Sequence, residues 1–223
     1  MAGSLSALGL VSVVAGTAWL VRDTTVVTDM APRVQQFDRG NGGTPAASEL
    51  KARQLAAWVR RTGDNRSRPF AIVDKQTARV HVHSADGREV AVSPVLVGSA
   101  RGDDSVPGIG ERPVNQIRPS ERITPSGRFE SEPGVNVQGE DIVWIDYDAA
   151  VSLHRVRPTV ASERRLERLA SPRPQDQRIT YGCINVPADF YETHIRPSLG
   201  QAPGVVYVLP ETRSWSHGQG TTL

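Results

Sequence analysis

The residue of this chain with the clearest chemical potential is Cys183, the single cysteine among 223 residues. It follows Gly182 in the segment TYGCIN at positions 180–185, and a helix-like stretch opens at Pro187. A thiol at a strand end or in a tight turn, beside free backbone N–H groups, can attack a carbonyl and hold the resulting oxyanion. Gly182 would let a ligand approach the backbone closely. The other interpretation is a small buried side chain, since free cysteines are often buried.

A cysteine nucleophile needs a base that forms its thiolate, and the chain offers five histidines. His154 lies in the strand-like segment SLHRV at 152–156, 29 residues before Cys183. Neighbouring strands can bring two such side chains within hydrogen-bonding distance, so His154 is the preferred partner; the alternative is a structural strand histidine. His81 and His83 alternate on an earlier strand and are interpreted as a half-exposed face. No further ligands can be placed beside them, so no metal site is expected.

The elements that must position these residues are mostly short strands. Alternating or continuous apolar residues predict strands at 70–73, 78–84, 88–97, 128–129, 142–147, 151–156, 179–186 and 204–209. Asp86-Gly87 is typical of a two-residue hairpin turn. Helical spacing or composition predicts helices over 48–61, 161–170 and 187–195. The Gly- and Pro-rich stretch 99–127 is predicted to be a long loop, functional or mobile. The chain is therefore predicted to be mainly β, with short flanking helices.

The two ends of the chain differ from its middle. The uncharged run that ends at Arg22 suits a signal peptide or a membrane anchor over 1–22, the alternative being a hydrophobic N-terminal helix. Residues 23–68 are interpreted as a linker with one helix, 69–210 as the folded domain, and 211–223 as a disordered tail. The protein is therefore predicted to be exported to the cell envelope, periplasmic, secreted or anchored, with this segment as its only membrane contact. An unpaired thiol in an oxidising space favours a chemical role.

Charge and motifs exclude several other classes of function. The 26 Lys and Arg nearly balance the 24 Asp and Glu, and no continuous basic stripe runs along the sequence. Nucleic acid is therefore not expected as a partner. The sequence holds no nucleotide-binding loop or cofactor motif, so no cofactor is expected.

The histidine and the cysteine segment resemble the catalytic motif of the L,D-transpeptidases, the YkuD-like family. That pattern is a histidine, a spacer, Ser or Thr, a variable residue, Gly, Cys, an apolar residue, and Asn or Arg. Here it reads as His154, a spacer, and TYGCIN at 180–185. TPSGRF at 124–129 resembles the family's Thr-Pro-x-Gly-x-Phe element, and the hairpin followed by PVLVG at 94–98 resembles its first strands. The three elements follow in the family's order, and the resemblance covers roughly residues 69–209.

Two features depart from the family pattern. Arg155 stands where Gly or Ser commonly follows the histidine, and the spacer before the cysteine is longer than usual. The excess is attributed to an insertion at 157–178, which would leave the two strands free to pair. It could reshape the side of the site that receives the acyl acceptor. Tyr181 occupies the variable position of the pattern, which is often a histidine in the family.

The resemblance implies an L,D-transpeptidase-like β-sandwich or barrel, preceded by an N-terminal hydrophobic helix and a linker. It implies acyl transfer in which His154 takes the thiol proton of Cys183. The thiolate attacks a peptidoglycan stem tetrapeptide, D-Ala leaves, and an amine resolves the thioester. That amine would come from a second stem, a lipoprotein or a free D-amino acid. The expected partners are therefore peptidoglycan stem peptides and such an acceptor.

The resemblance also implies roles for the residues around the nucleophile. Backbone N–H groups of Tyr181, Gly182 and the cysteine itself would stabilise the oxyanion. Thr180 and Asn185 would orient the loop and the site by hydrogen bonds, unless they are ordinary turn residues. Arg155 could bind a substrate carboxylate through two parallel hydrogen bonds; the alternative is an exposed strand arginine.

Two other functions stay open. The same Cys183 and His154 pair could use water as the acceptor, which would make the protein a cysteine-dependent carboxypeptidase, amidase or peptidase. The protein could also be a non-catalytic binding module of the cell envelope on the same fold. Arg155 and the long spacer favour that last interpretation.

Overall fold

The computed structural model describes residues 45–215. The predicted signal peptide or anchor, its hydrophobic helix and residues 216–223 of the predicted tail lie outside this range. No helix within the described residues is long and apolar enough to cross a bilayer.

The helices lie before the sheet and around the cysteine segment. They are α1 (Pro45–Thr62), α2 (Arg165–Ala170), α3 (Ala188–Phe190) and α4 (Arg196–Leu199), with a π-helical turn at Tyr191–Ile195 between the last two. Short 3-10 turns occupy Ile109–Glu111, Val114–Gln116, Pro119–Glu121, Ala161–Glu163 and Pro174–Gln177. The long helix α1 ends at Gly63, whose φ of 68° suits glycine and whose N–H donates to the Val59 carbonyl at 2.8 Å.

The strands lie close to where the sequence predicts them. They are β1 (Phe70–Asp74), β2 (Arg79–His83), β3 (Glu89–Pro94), β4 (Val97–Gly98), β5 (Gly127–Val135), β6 (Asp141–Asp146), β7 (Val151–Arg155), β8 (Arg178–Thr180), β9 (Ile184–Val186) and β10 (Gly204–Leu209). In the described range they form an eight-stranded sheet, ordered β3-β2-β1-β10-β5-β6-β7-β9, and a two-stranded pair of β4 with β8. The β1–β10, β7–β9 and β4–β8 pairs are parallel.

One apolar cluster shows that the large sheet is strongly curled. Val80 and Val82 on β2 share a buried core with Ile184 and Val186 on β9, although these strands lie near opposite edges of the strand order. Strands so far apart can share a core only if the sheet closes on itself. The predicted mainly β sandwich or barrel with short flanking helices is therefore confirmed.

A second cluster packs α1 against the outside of the sheet. Leu55 and Val59 of the helix are buried with Phe70 of β1 and Tyr207 of β10. Helix α1 also lies over β2. Ala52, Ala56 and Arg60 of the helix line the same cavity as His81 and His83 of β2.

The prediction of a half-exposed face at His81 and His83 is wrong, because α1 covers that face. Their exposures are 6% and 3%, and the His83 ring stacks on Phe70 with centroids 4.5 Å apart. Burial lowers the pKa of His83 to about 4. His81 Nδ1 lies 2.8 Å from a Glu89 carboxylate oxygen. Within residues 45–215, no group of three or more His, Cys, Asp and Glu side chains is arranged to hold a metal ion.

The 99–127 loop is fixed to the domain by a buried ion cluster around Lys75. The Lys75 ammonium, 1% exposed, donates to Asp103 Oδ1 and to the Thr124 carbonyl, each at 2.9 Å. Asp103 also accepts from the backbone N–H groups of residues 211–213, at 2.8, 2.8 and 3.1 Å. Residues 211–213, which the sequence assigns to the tail, are therefore bound to the domain.

Candidate functional site

Cys183 lies in the turn between β8 and β9. Gly182 has a φ of 140°, and a Cβ there would lie 2.9 Å from the Ile123 carbonyl oxygen, so both conformation and space require glycine. The Thr180 hydroxyl donates to the Cys183 carbonyl at 2.6 Å and accepts from the Gly182 N–H at 3.2 Å. Thr180 thus stabilises the turn by hydrogen bonds within it. The Gly182 N–H, one of the three donors considered for the oxyanion, is already bonded to the Thr180 hydroxyl.

The same turn is held from outside by Thr124, a residue of the TPSGRF segment to which the sequence assigns no role. Its buried hydroxyl donates to the Gly182 carbonyl at 2.7 Å and accepts from the Gly98 N–H at 2.9 Å. The 99–127 loop also reaches Tyr181, whose ring lies 4.0 Å from the Arg122 guanidinium carbon. This stack places a cation beside the turn at 180–183, which carries Cys183.

Strand alternation brings the histidine to the cysteine. Leu153 of β7 faces the buried core, so its neighbours Ser152 and His154 face the other side of the sheet. On β9, Ile184 also faces the core, so the residues on either side of it point away from the core as well.

The register then decides which side chains meet. Strands β7 and β9 are parallel, with Leu153 opposite Ile184 and His154 opposite Asn185. Ser152 therefore lies beside Cys183, and His154 lies beside Asn185, all on one face of the sheet. The pairing of His154 with Cys183 stays a prediction.

The Cys183 thiol has two weak polar neighbours. Its Sγ lies 3.7 Å from Ser152 Oγ and 3.6 Å from the Ala150 carbonyl, and the residue is partly exposed. Burial raises the pKa of the Cys183 thiol, but the neighbouring His154 ring and the Ser152 contacts outweigh it. The pKa therefore lies below its ordinary value. A lowered pKa favours the thiolate, which is the nucleophilic form.

The hydrogen bonds of His154 fix its tautomer. Nδ1 lies 2.8 Å from the Arg155 carbonyl, which only accepts, so Nδ1 carries the proton. Nε2 lies 3.0 Å from Asn185 Nδ2, an amide nitrogen that only donates. The amide is oriented this way because its Oδ1 accepts from Arg165 Nη1 at 2.7 Å. The lone pair of the imidazole is therefore on Nε2.

Arg155 lies on the opposite face of β7 from His154. Its guanidinium donates to Asp141 Oδ1 at 2.9 Å and to Glu192 Oε1 at 2.5 Å. It also stacks 4.1 Å from the Tyr191 ring. The acidic partners of Arg155 are thus residues of the protein, and the structure does not bring Arg155 to the thiol.

Two side chains near the site carry no role in the sequence analysis. Trp144 of β6 pairs with Ser152, so it lies on the same face as the thiol. Its ring is 5.0 Å from that of Tyr147, which is 76% exposed. Arg165, at the start of α2, reaches Asn185 from the insertion. Alternation along β6 could have placed Trp144, but no sequence signal connects Arg165 to the site.

Comparisons with known proteins give matches among solved structures. No family model matches the chain, and no curated protein matches it. Twelve chains of solved structures do. One is a variant of the helical cell shape determining protein Pgp2 from Campylobacter jejuni, with 14% sequence identity and a TM-score of 0.41. The match covers 76% of this chain and 58% of that one, so this chain spans less than two thirds of its length.

Proposed function

We propose that this protein is a peptidoglycan L,D-transpeptidase of the cell envelope that uses a cysteine nucleophile. The observation that best supports the proposal is the β7–β9 register, in which His154 lies opposite Asn185, on the sheet face that also carries Ser152 and Cys183. The lowered pKa of Cys183 and the order of the three family-like segments support it. Export, with membrane contact through residues 1–22, belongs to the same proposal, because stem peptides lie outside the cytoplasm.

In the first half-reaction, His154 Nε2 takes the proton of the Cys183 thiol. The thiolate attacks the carbonyl of the diaminopimelate, or equivalent, residue of a stem tetrapeptide. A C–S bond forms, the C–N bond to D-Ala breaks, and Nε2–H protonates the leaving amine. The Arg155 carbonyl holds Nδ1–H throughout, a bond that fixes the ring orientation as the carboxylate does in Ser-His-Asp sites.

In the second half-reaction, an amine attacks the thioester. It gives its proton to His154 Nε2, a C–N bond forms, and the C–S bond breaks to regenerate Cys183. The oxyanion of each step would be stabilised by backbone N–H groups of Tyr181 and Cys183, each donor contributing about 3 kcal/mol. The N–H of Gly182 serves the turn through Thr180, so it is the weakest candidate of the three.

The test uses the full chain with a disaccharide tetrapeptide, followed by mass spectrometry of protein and products. Cys183→Ala and His154→Gln are the matched controls. A cross-linked dimer that depends on Cys183 is the expected result. Tripeptide and free D-Ala without a dimer would show that water is the acceptor and that the protein is a carboxypeptidase. Neither acyl-enzyme nor product from folded protein would overturn the proposal and favour a non-catalytic envelope module, to be examined by sedimentation with sacculi.

A further inference from the structure

A hydrogen-bond chain connects the 157–178 insertion to the proposed base. Arg165 Nη1 donates to Asn185 Oδ1 at 2.7 Å, and Asn185 Nδ2 lies 3.0 Å from His154 Nε2. Arg165 is itself held by Glu163, with Nε to Oε2 at 2.5 Å, and its side chain is 15% exposed. A single side chain, Asn185, therefore connects Arg165 of the insertion to the imidazole.

The fold fixes the position of Arg165 independently of this chain of bonds. Helix α2, which begins at Arg165, is anchored by Leu169, buried in a small apolar cluster with Leu96 and Val156. Leu96 also exchanges backbone hydrogen bonds with Asn185, at 2.8 and 2.9 Å. The guanidinium and the amide are thus carried on two segments that are packed together.

The hydrogen bonds from Arg165 to Asn185 and from Asn185 to His154 can run in one direction only. A guanidinium only donates, so the atom that faces Arg165 is the amide oxygen, and Asn185 must present its NH2 to His154. That NH2 donates into the lone pair of Nε2, the position at which the thiol proton must arrive. Once Nε2 is protonated, two N–H groups face each other. The amide would relieve this contact by turning its oxygen towards Nε2–H, but the bond to Arg165 opposes the turn.

We propose that Arg165 is a positioning residue that holds Asn185 with its NH2 towards His154, so that the site rests as a thiol and a neutral imidazole. The inference rests on the proposed function, because the restrained step is the proton transfer from Cys183 to His154. The insertion thereby acts on the nucleophile without touching it. A resting thiol is less reactive than a thiolate, so the restraint protects Cys183 until the amide is released.

The direction in which the Cys183 pKa changes when Arg165 is removed distinguishes a positioning role from a direct effect of the guanidinium charge. A guanidinium near the thiol would, through space, favour the thiolate, so its removal would raise the pKa of Cys183. Release of Asn185 has the opposite effect, because the amide oxygen can then accept from Nε2–H and stabilise the imidazolium–thiolate pair. The other charged groups around the site are common to all variants. Arg155 of β7 pairs with Asp141 of β6 and with Glu192 on the opposite face, and Arg122 stacks on Tyr181.

The test is the rate of Cys183 alkylation by iodoacetamide across pH, on the full chain. Arg165→Met is expected to lower the midpoint of the profile by about one pH unit. Arg165→Lys, which keeps a donor, is expected to restore much of the wild-type profile. The matched control is Arg164→Met, since Arg164 is exposed and paired only with Glu167 among the contacts of the described structure. An unchanged or raised midpoint in folded Arg165→Met would overturn the proposal.

A second measurement needs no variant. Nitrogen chemical shifts of His154 in the wild-type protein are expected to show a neutral ring protonated on Nδ1 at neutral pH. A ring protonated on Nε2, or an imidazolium, would overturn the proposal. Neither experiment uses peptidoglycan, so a failure of the transpeptidase proposal would appear separately, as a missing product with an intact alkylation profile.

Discussion

His154 and His83 both lie on short strands with alternating side chains, yet the fold gives their rings opposite surroundings. His83 is covered by α1 and stacked on Phe70, and its Nδ1 has no hydrogen-bond partner among the described residues. Both ring nitrogens of His154 have partners, and the ring is partly exposed beside the thiol of Cys183.

The comparison shows that acid–base capacity depends on what covers a strand face. Burial disfavours a charged ring at His83 and lowers its pKa to about 4. In the proposed reaction, a proton that reaches His154 comes from the Cys183 thiol and returns to it or passes to a leaving amine. The residue type and the alternation are the same in both places, and only the packing differs.

The largest expected effect is a difference in catalytic rate between variants of His154 and of His83. His154→Gln should reduce the rate of D-Ala release by about 10²–10⁴-fold, because the general base is lost. His83→Gln should leave the rate per folded molecule unchanged, because that ring is remote from the thiol. The rates are measured with the tetrapeptide, after the folded fraction has been determined by circular dichroism. Equal losses in the two variants would contradict the contrast.

The second prediction concerns stability and pH. The pKa of His83 falls from 6.5 in the unfolded chain to about 4 in the folded one, so between these values the unfolded state binds more protons. Stability is therefore complete above pH 6.5 and declines as the pH falls towards 4, by about 3 kcal/mol. Urea unfolding of wild type and His83→Gln between pH 7 and 4 measures the difference. The variant should lack this decline, and parallel curves would refute the assignment.

A third prediction tests whether the site depends on the hydrogen bonds of Thr124 that support the Cys183 turn, as well as on His154. Thr124→Val removes a hydroxyl that bonds the Gly182 carbonyl and the Gly98 N–H, and should lower the free energy of unfolding by about 1–3 kcal/mol. Cys183 alkylation should also change, because the turn loses its outer support. Thr124→Ser keeps the hydroxyl and should behave like wild type. A Val variant with normal stability and reactivity would show that the turn needs no such support.

The smallest expected effect lies at the thiol itself. The Ser152 contacts help to lower the pKa of Cys183, so Ser152→Ala should raise the alkylation midpoint by about 0.5 pH unit. The shift has the opposite sign to the one expected for Arg165→Met, so each variant serves as a control for the alkylation midpoint of the other. A fall in the midpoint would mean that Ser152 accepts from the thiol and stabilises its protonated form.

The sequence predicts those parts of the site that depend on local pattern. Alternation along β7 and the glycine before Cys183 can be read from the sequence, and they make His154 the preferred partner of the thiol, a pairing that stays a prediction. The strand positions follow for the same reason, since period-two patterns and turn residues are local signals.

The remaining features depend on contacts between distant segments. The helical pattern of α1 does not say which face of the sheet it covers, so His81 and His83 were assigned the wrong exposure. Arg155 could be placed on a strand, but its pairing with Asp141 and Glu192 depends on β6 and the helix after β9. The approach of Arg165 to Asn185 depends on the return path of the insertion, for which no spacing rule exists.

Residues 211–213 behave towards Asp103 as a ligand tethered to its own receptor. A tether of this kind supplies an effective concentration in the millimolar range, which a free peptide must match to bind equally well. Asp103 accepts from Lys75, and Lys75 donates to the Thr124 carbonyl. The Thr124 hydroxyl in turn bonds the Gly182 carbonyl, so the segment is connected to the turn that carries Cys183. If proteolysis cut the chain after Pro210, we therefore expect Cys183 to lose reactivity, and added peptide to restore it only at about millimolar concentration.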